Sequence, residues 1–186
     1  MMKALSRKIT IPNYLHEIHG KQALLVELLI TYVTGIIATI VTLYLAWDSS
    51  LSVYQFVLLG ILALDLAAGV VANLTPGAKA YYSESARRRY LFIAFHVLQP
   101  VLLMWIFPAQ ALSIGWVAGY TLLAMTFVNS LQEPSAQRVY AFFLLVVGIL
   151  LLFLLGISAA VVQLMLILFV IKLVVAFAVR WKHDKV

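Results

Sequence analysis

Three side chains that could do chemistry lie where few ionisable groups are tolerated, inside long apolar runs: Asp65, His96 and Lys172. A charged group near the centre of a bilayer costs about 2.5–3.5 kcal/mol on insertion scales, so an intramembrane acid or base implies a partner or a task. A carboxylate and an ammonium at matching depth can form an ion pair, and an imidazole nearby can hold or pass a proton. The depths agree. Asp65 lies roughly nine residues from the end of its run at Leu74, and Lys172 roughly nine from Trp181, which puts both about 13 Å deep at 1.5 Å per residue. His96 lies near 9 Å, with Gln99 beyond it, and Glu27 enters the first run from the same side at about 6 Å. Asp65, Gly69 and Asn73 repeat every four residues, which places them on one helical face. These residues (Asp65, Lys172, His96, Gln99, Asn73 and Glu27) are the expected lining of an ion- or proton-coupling cavity. Pro100 has no N–H and frees the carbonyl of His96, so a helix break belongs there.

The elements that must position this set follow from composition. Of 186 residues 65% are hydrophobic and 11% charged, with mean hydropathy +1.05. A soluble domain is nearer half apolar and a quarter charged, so this chain belongs in lipid. Six apolar runs follow one another, at about 23–47, 52–74, 90–107, 109–131, 139–156 and 158–181. Each can cross a hydrocarbon core about 30 Å thick, and in lipid such a run must be a helix because its backbone groups have no other partner. The fold class expected is all-α: a polytopic integral membrane bundle of six transmembrane helices. A basic interfacial segment (1–22) precedes it, with a short helix starting near Pro12 and Asn13, and a tail (182–186) follows. The run 139–156 carries almost no polar residue and is expected to face lipid.

Charge gives the orientation. The formal charge is +6, and of the 13 Lys and Arg residues all but Lys172 fall before the first run, in 75–89, in 132–138 or at the C-terminal end from Arg180 onward. Alternate connections carry none. Under the positive-inside rule both termini are cytoplasmic, and the expected location is a bacterial cytoplasmic membrane. Trp47, Trp105 and Trp116 then mark the outer boundary and Trp181 the inner one. The cations cap apolar runs and make no basic face, so nucleic acid is not an expected partner.

Arg87, Arg88 and Arg89, with Lys79, sit at the inner boundary and are expected to contact phosphate and anionic lipid headgroups. Gly115 and Gly119 form a small-residue spacing through which a second copy could pack. The chain has no cysteine, which excludes disulfides and thiol chemistry, and it contains no phosphate-binding loop, dinucleotide fingerprint or His-Glu-x-x-His zinc motif. No metal site or cofactor is assigned. Three functions fit: a proton-linked carrier of a small solute or ion, an intramembrane enzyme acting on a lipid headgroup, and a non-catalytic accessory subunit. One acid, one lysine and a broken helix fit ion coupling best.

Overall fold

The computed structural model describes residues 6–180. Trp181 and the tail 182–186 lie outside the described residues, as does Lys3.

Six helical spans, long and apolar enough to cross a membrane, make up the body: Leu25–Leu45, Val53–Ala72, Ala86–Ile106, Pro108–Ser130, Pro134–Leu154 and Ala160–Phe177. The third and fifth begin earlier than their apolar runs, at Ala86 and Pro134, and the sixth stops at Phe177. A helix continues past lipid wherever its residues tolerate helical geometry, so Arg87, Arg88 and Arg89 are helical and do not belong to a loop. Pro134 occupies the first turn of its helix, where its missing N–H costs nothing.

The sixth span is the centre. Of its apolar window 67% is buried, against 17% for the first span and 22% for the fifth. It packs against the second, fourth and fifth spans, while the first span is held chiefly by the second. That last contact depends on small residues. Gly35 faces Leu64 and Ala68, Gly60 faces Thr39 and Leu43, and the Thr39 hydroxyl donates to the carbonyls of Gly35 at 2.9 Å and Gly60 at 3.3 Å. The outward faces of the first and fifth spans expose Ile36, Ile37, Ile40, Val146, Leu150 and Phe153. Such a surface is stable against acyl chains and would aggregate in water.

Two spans are irregular. In the third, α5 (Ala86–Phe95) and α6 (Leu98–Ile106) are separate helices with His96 and Val97 between them. The backbone tightens there: the His96 N–H reaches the carbonyls of both Phe92 and Ile93, and Val97 bonds Ala94, three residues back. Pro100 explains the break, since its ring crowds the carbonyl of residue 96 and supplies no donor to it. In the sixth, α9 (Ala160–Val170) widens into a π-helix over Ile171–Phe177, where the Ala178 N–H bonds Leu173 at 3.1 Å, five residues back. Lys172 is the second residue of that π-turn.

A cap covers the basic end. Strands β1 (Lys8–Thr10) and β2 (Gln22–Leu24) form an antiparallel hairpin with Ile9 opposite Ala23, and between them lies the short helix α1 (His16–His19). The hairpin has no alternating run long enough to announce it. The segment 75–89 carries its own helix, α4 (Pro76–Ser83), started by Thr75 as N-cap and Pro76 in the first turn. α1 and α4 meet backbone to backbone. A Cβ on Gly20 would collide with the Gly77 carbonyl, one on Gly77 would collide with the carbonyls of Gln22 and His19, and Gly20 has φ +73°. Lys21, Glu84 and Arg88 close the joint as an ion triad, with 2.7 Å contacts on either side of the carboxylate. Those two hydrogen bonds, Lys21's first and Arg88's second, hold Glu84 below the usual carboxylate range.

Gly20→Ala is therefore expected to undock the N-terminal segment, because the new side chain meets both backbone and an unfavourable φ. A loss of about 1–3 kcal/mol at this joint will register as faster proteolysis within residues 6–24, with the helical content of the bundle unchanged.

Candidate functional site

Lys172 governs the site. Its side chain is 3% exposed, and its ammonium donates to Asp65 Oδ2 at 2.9 Å and to the Asp65 backbone carbonyl at 3.2 Å. To reach that carbonyl the lysine must lie against the second span, and Gly69 makes room for it. A Cβ there would run into Lys172 Cε and stand 2.9 Å from Nζ. The four-residue spacing of Asp65, Gly69 and Asn73 thus supplies an acid, a seat for the lysine stem and an amide on one face. The Gln99 amide, from α6, donates to the same Asp65 Oδ2. Asp65 itself is half exposed.

His96 lies 8% exposed at the break in the third span. Its ring stacks on Phe92 at 3.9 Å between centroids, and Phe92 stacks in turn on Phe177 of the sixth span. Nδ1 lies 2.6 Å from the Phe92 carbonyl. A carbonyl can only accept, so Nδ1 carries the hydrogen and the neutral ring presents a lone pair at Nε2. That Nε2 is buried without a partner among the described residues, as is Asn73 Nδ2.

These groups share one pit of about 230 Å³. Asp65, Gly69, Asn73, His96 and Lys172 form its floor and walls, with Phe92 and Phe95 beside them. The cap forms its rim through Glu17, Ile18, Tyr81, Tyr82 and Arg88. Tyr82 ties rim to cap by donating its hydroxyl to the Glu17 carbonyl at 2.8 Å, and burial first, then Glu17, pushes its pKa up. At the opposite end of the bundle Ala46, Leu59, Ile106, Ile114 and Ile157 are buried together, so the pit does not continue to that end.

The remaining candidates are placed elsewhere. Glu27 does not reach the pit; its Oε2 accepts the Leu24 N–H at 2.8 Å and starts the first span, because a third-position glutamate turns back to the free donors of its own helix. Of the basic cluster only Arg88 lines the pit, stacked 4.2 Å from the Tyr81 ring and paired with Glu84. Arg87 does not line the pit. Arg89 is buried and donates to Asn129 Oδ1 and to the carbonyls of Phe177 and Ala178. Lys79 spends its ammonium on the carbonyls of Ala176, Phe177 and Val179. Both cations cap the free C-terminal carbonyls of the sixth span, where the helix dipole favours positive charge, so their donors meet protein first. Pro100 lies below the pit, between the second, third and sixth spans. Gly115 and Gly119 have open space beside them: among the described residues a Cβ added at Gly115 would meet Met104 Sδ at 3.8 Å, and one at Gly119 would meet nothing within 4 Å.

The contribution of Glu17, Ile18, Tyr81 and Tyr82 has no counterpart in the sequence reading, because the rim forms only once the N-terminal segment docks on α4. The Phe92–His96 spacing of four residues was the available signal for how the imidazole is held. Among the described residues no group of three or more His, Asp or Glu side chains is arranged to hold a metal ion. Compared with known proteins, the chain matches no family model, no curated protein and no solved structure.

Asp65→Asn leaves a buried ammonium without its charge partner and is expected to cost about 3 kcal/mol in detergent, read as a lowered thermal midpoint. Asp65→Asn combined with Lys172→Met removes both charges and is expected to recover most of that loss. Equal destabilisation by the single and double variants would show that the pair is not what holds these spans together.

Proposed function

We propose that this multi-pass membrane protein is a proton-linked carrier of a small anionic solute, described here with its binding pit open to the cytoplasm. The supporting observation is the buried Lys172 ammonium, whose one carboxylate partner among the described residues is Asp65 on the wall of a pit rimmed by the cap at the basic end. The positive-inside rule assigns that basic end to the cytoplasmic face, and with it both termini.

Coupling follows from charge conservation in a poorly hydrated place. When a proton from the aqueous phase binds the Asp65 carboxylate, Lys172 keeps its charge and loses its counter-ion. An unpaired ammonium at that depth costs several kcal/mol, so protonation favours entry of an anion beside Lys172. The unpartnered Asn73 amide donates to such a solute, and the His96 Nε2 lone pair accepts from any hydroxyl or amine it carries. Loss of the proton restores the Asp65–Lys172 pair and expels the solute. Breaks in the third and sixth spans flank the pair on two sides, and irregular helix at membrane depth is characteristic of sites that bind and rearrange.

A panel of small organic and inorganic anions added to proteoliposomes carrying an internal pH dye tests this reading. At least one anion is expected to move protons with it, and Asp65→Asn is expected to reduce that movement by about tenfold or more. Proton-coupled uptake that persists undiminished in Asp65→Asn would overturn the mechanism.

One observation favours a second reading. A buried imidazole with its Nδ1 hydrogen fixed and its Nε2 lone pair free is also the arrangement of a general base. Here it would deprotonate a headgroup hydroxyl, with Arg88 near the phosphate and Asp65 fixing the substrate. This reading expects the lipid profile of cells expressing the protein to differ from that of cells expressing His96→Ala, by mass spectrometry; identical profiles remove it.

A further inference from the structure

A second polar cavity, of about 440 Å³, lies at the basic end on the other side of Tyr82 from the pit. Ser83, Arg89, Tyr90, Ser130, Gln132 and Arg180 line it. Its charge is unbalanced. Arg89 is 6% exposed, and its acceptors, Asn129 Oδ1 at 2.5 Å, Phe177 O at 3.3 Å and Ala178 O at 3.2 Å, are all neutral. Among the described residues the Arg180 side chain reaches only the Asn129 carbonyl, at 3.4 Å, while its backbone N–H is fixed by Gln137 at 2.8 Å. Every ion pair among the described residues involves other cations. Lys79 adds a third positive charge at the same helix end. The dipole of the sixth span offers this end only about half an elementary negative charge, so the two guanidinium groups alone already leave a positive surplus.

A buried cation such as Arg89 is costly to leave without a counter-charge, and planar guanidinium groups are well paired by a tetrahedral oxyanion that several donors can share. Two further donors are available. The Tyr90 hydroxyl and the Gln132 amide line the same cavity, and neither makes a hydrogen bond among the described residues. We propose that this cavity binds a phosphate oxyanion between Arg89 and Arg180. Its position at the ends of the third, fourth and sixth spans, level with the headgroups, favours the phosphodiester of an anionic lipid over free phosphate. The proposal is independent of the carrier reading, since it shares no charged residue with the pit.

The experiment uses the full chain purified in a neutral detergent and titrated separately with short-chain phosphatidylglycerol and with inorganic phosphate, followed by native mass spectrometry and thermal midpoint. Three proteins are compared: the wild type, Arg180→Gln, and Arg138→Gln, which removes an equal charge at the same end but outside the cavity. Saturable binding of phosphatidylglycerol where inorganic phosphate has no effect identifies a lipid site, and saturable binding of phosphate at similar strength identifies a site for the free ion. In either case Arg180→Gln is expected to weaken binding about fivefold or more, with Arg138→Gln unchanged. Absence of saturable binding by both ligands, or equal weakening by both substitutions, would overturn the proposal.

Discussion

A single buried ammonium sets the terms for the centre of this molecule. Lys172 lies on the most enclosed of six helices, and the cost of leaving its charge unpaired exceeds what any one packing contact returns. Asp65 must therefore stand beside it. Residue 69 must lack a side chain so that the lysine stem can lie on the second span. Gln99 must come close enough to bond the same carboxylate oxygen, which draws the lower half of the third span inward. Three helices are drawn together by one charge.

The aromatic stack beside the pair serves the same centre. Phe177, Phe92 and the His96 ring lie in sequence, with Tyr82 edge-on to both phenylalanines. Ring contacts of this kind add about 0.5–1.5 kcal/mol each beyond buried area. They fix the imidazole in one orientation and separate the pit from the arginine-lined cavity on the far side of Tyr82. Two polar spaces that share Tyr82 can thus differ in charge: one has carboxylates beside its cations, the other has cations alone.

Much of this architecture can be read from residue order. Six long apolar runs leave no alternative to six helices, and their cations mark one end of the bundle. The equal depths of Asp65 and Lys172 are visible in simple counting, as is the helix break near Pro100. What residue order conceals is how short polar segments dock. Hairpin β1–β2 has three residues in each strand, too few for a period, and its place depends on Gly20 meeting Gly77 across more than fifty positions. Glu27 illustrates the converse. Its depth resembled that of a cavity residue, yet a glutamate in a first helical turn finds free backbone donors closer than any partner across the bundle. Arg89 and Lys79 likewise give donors to protein, because a sequence does not show that a neighbouring helix will end with open carbonyls beside them.

Those two cations also decide which part of the bundle can travel. Sliding or turning the sixth span would tear Lys79 from three carbonyls and Arg89 from two in the same movement. Bending at His96 and Val97 involves a stretch where the backbone ladder is already interrupted. The sixth helix is accordingly the anchored member of the bundle, while Leu98–Ile106 joins the rest of the third span through an interrupted stretch of backbone ladder.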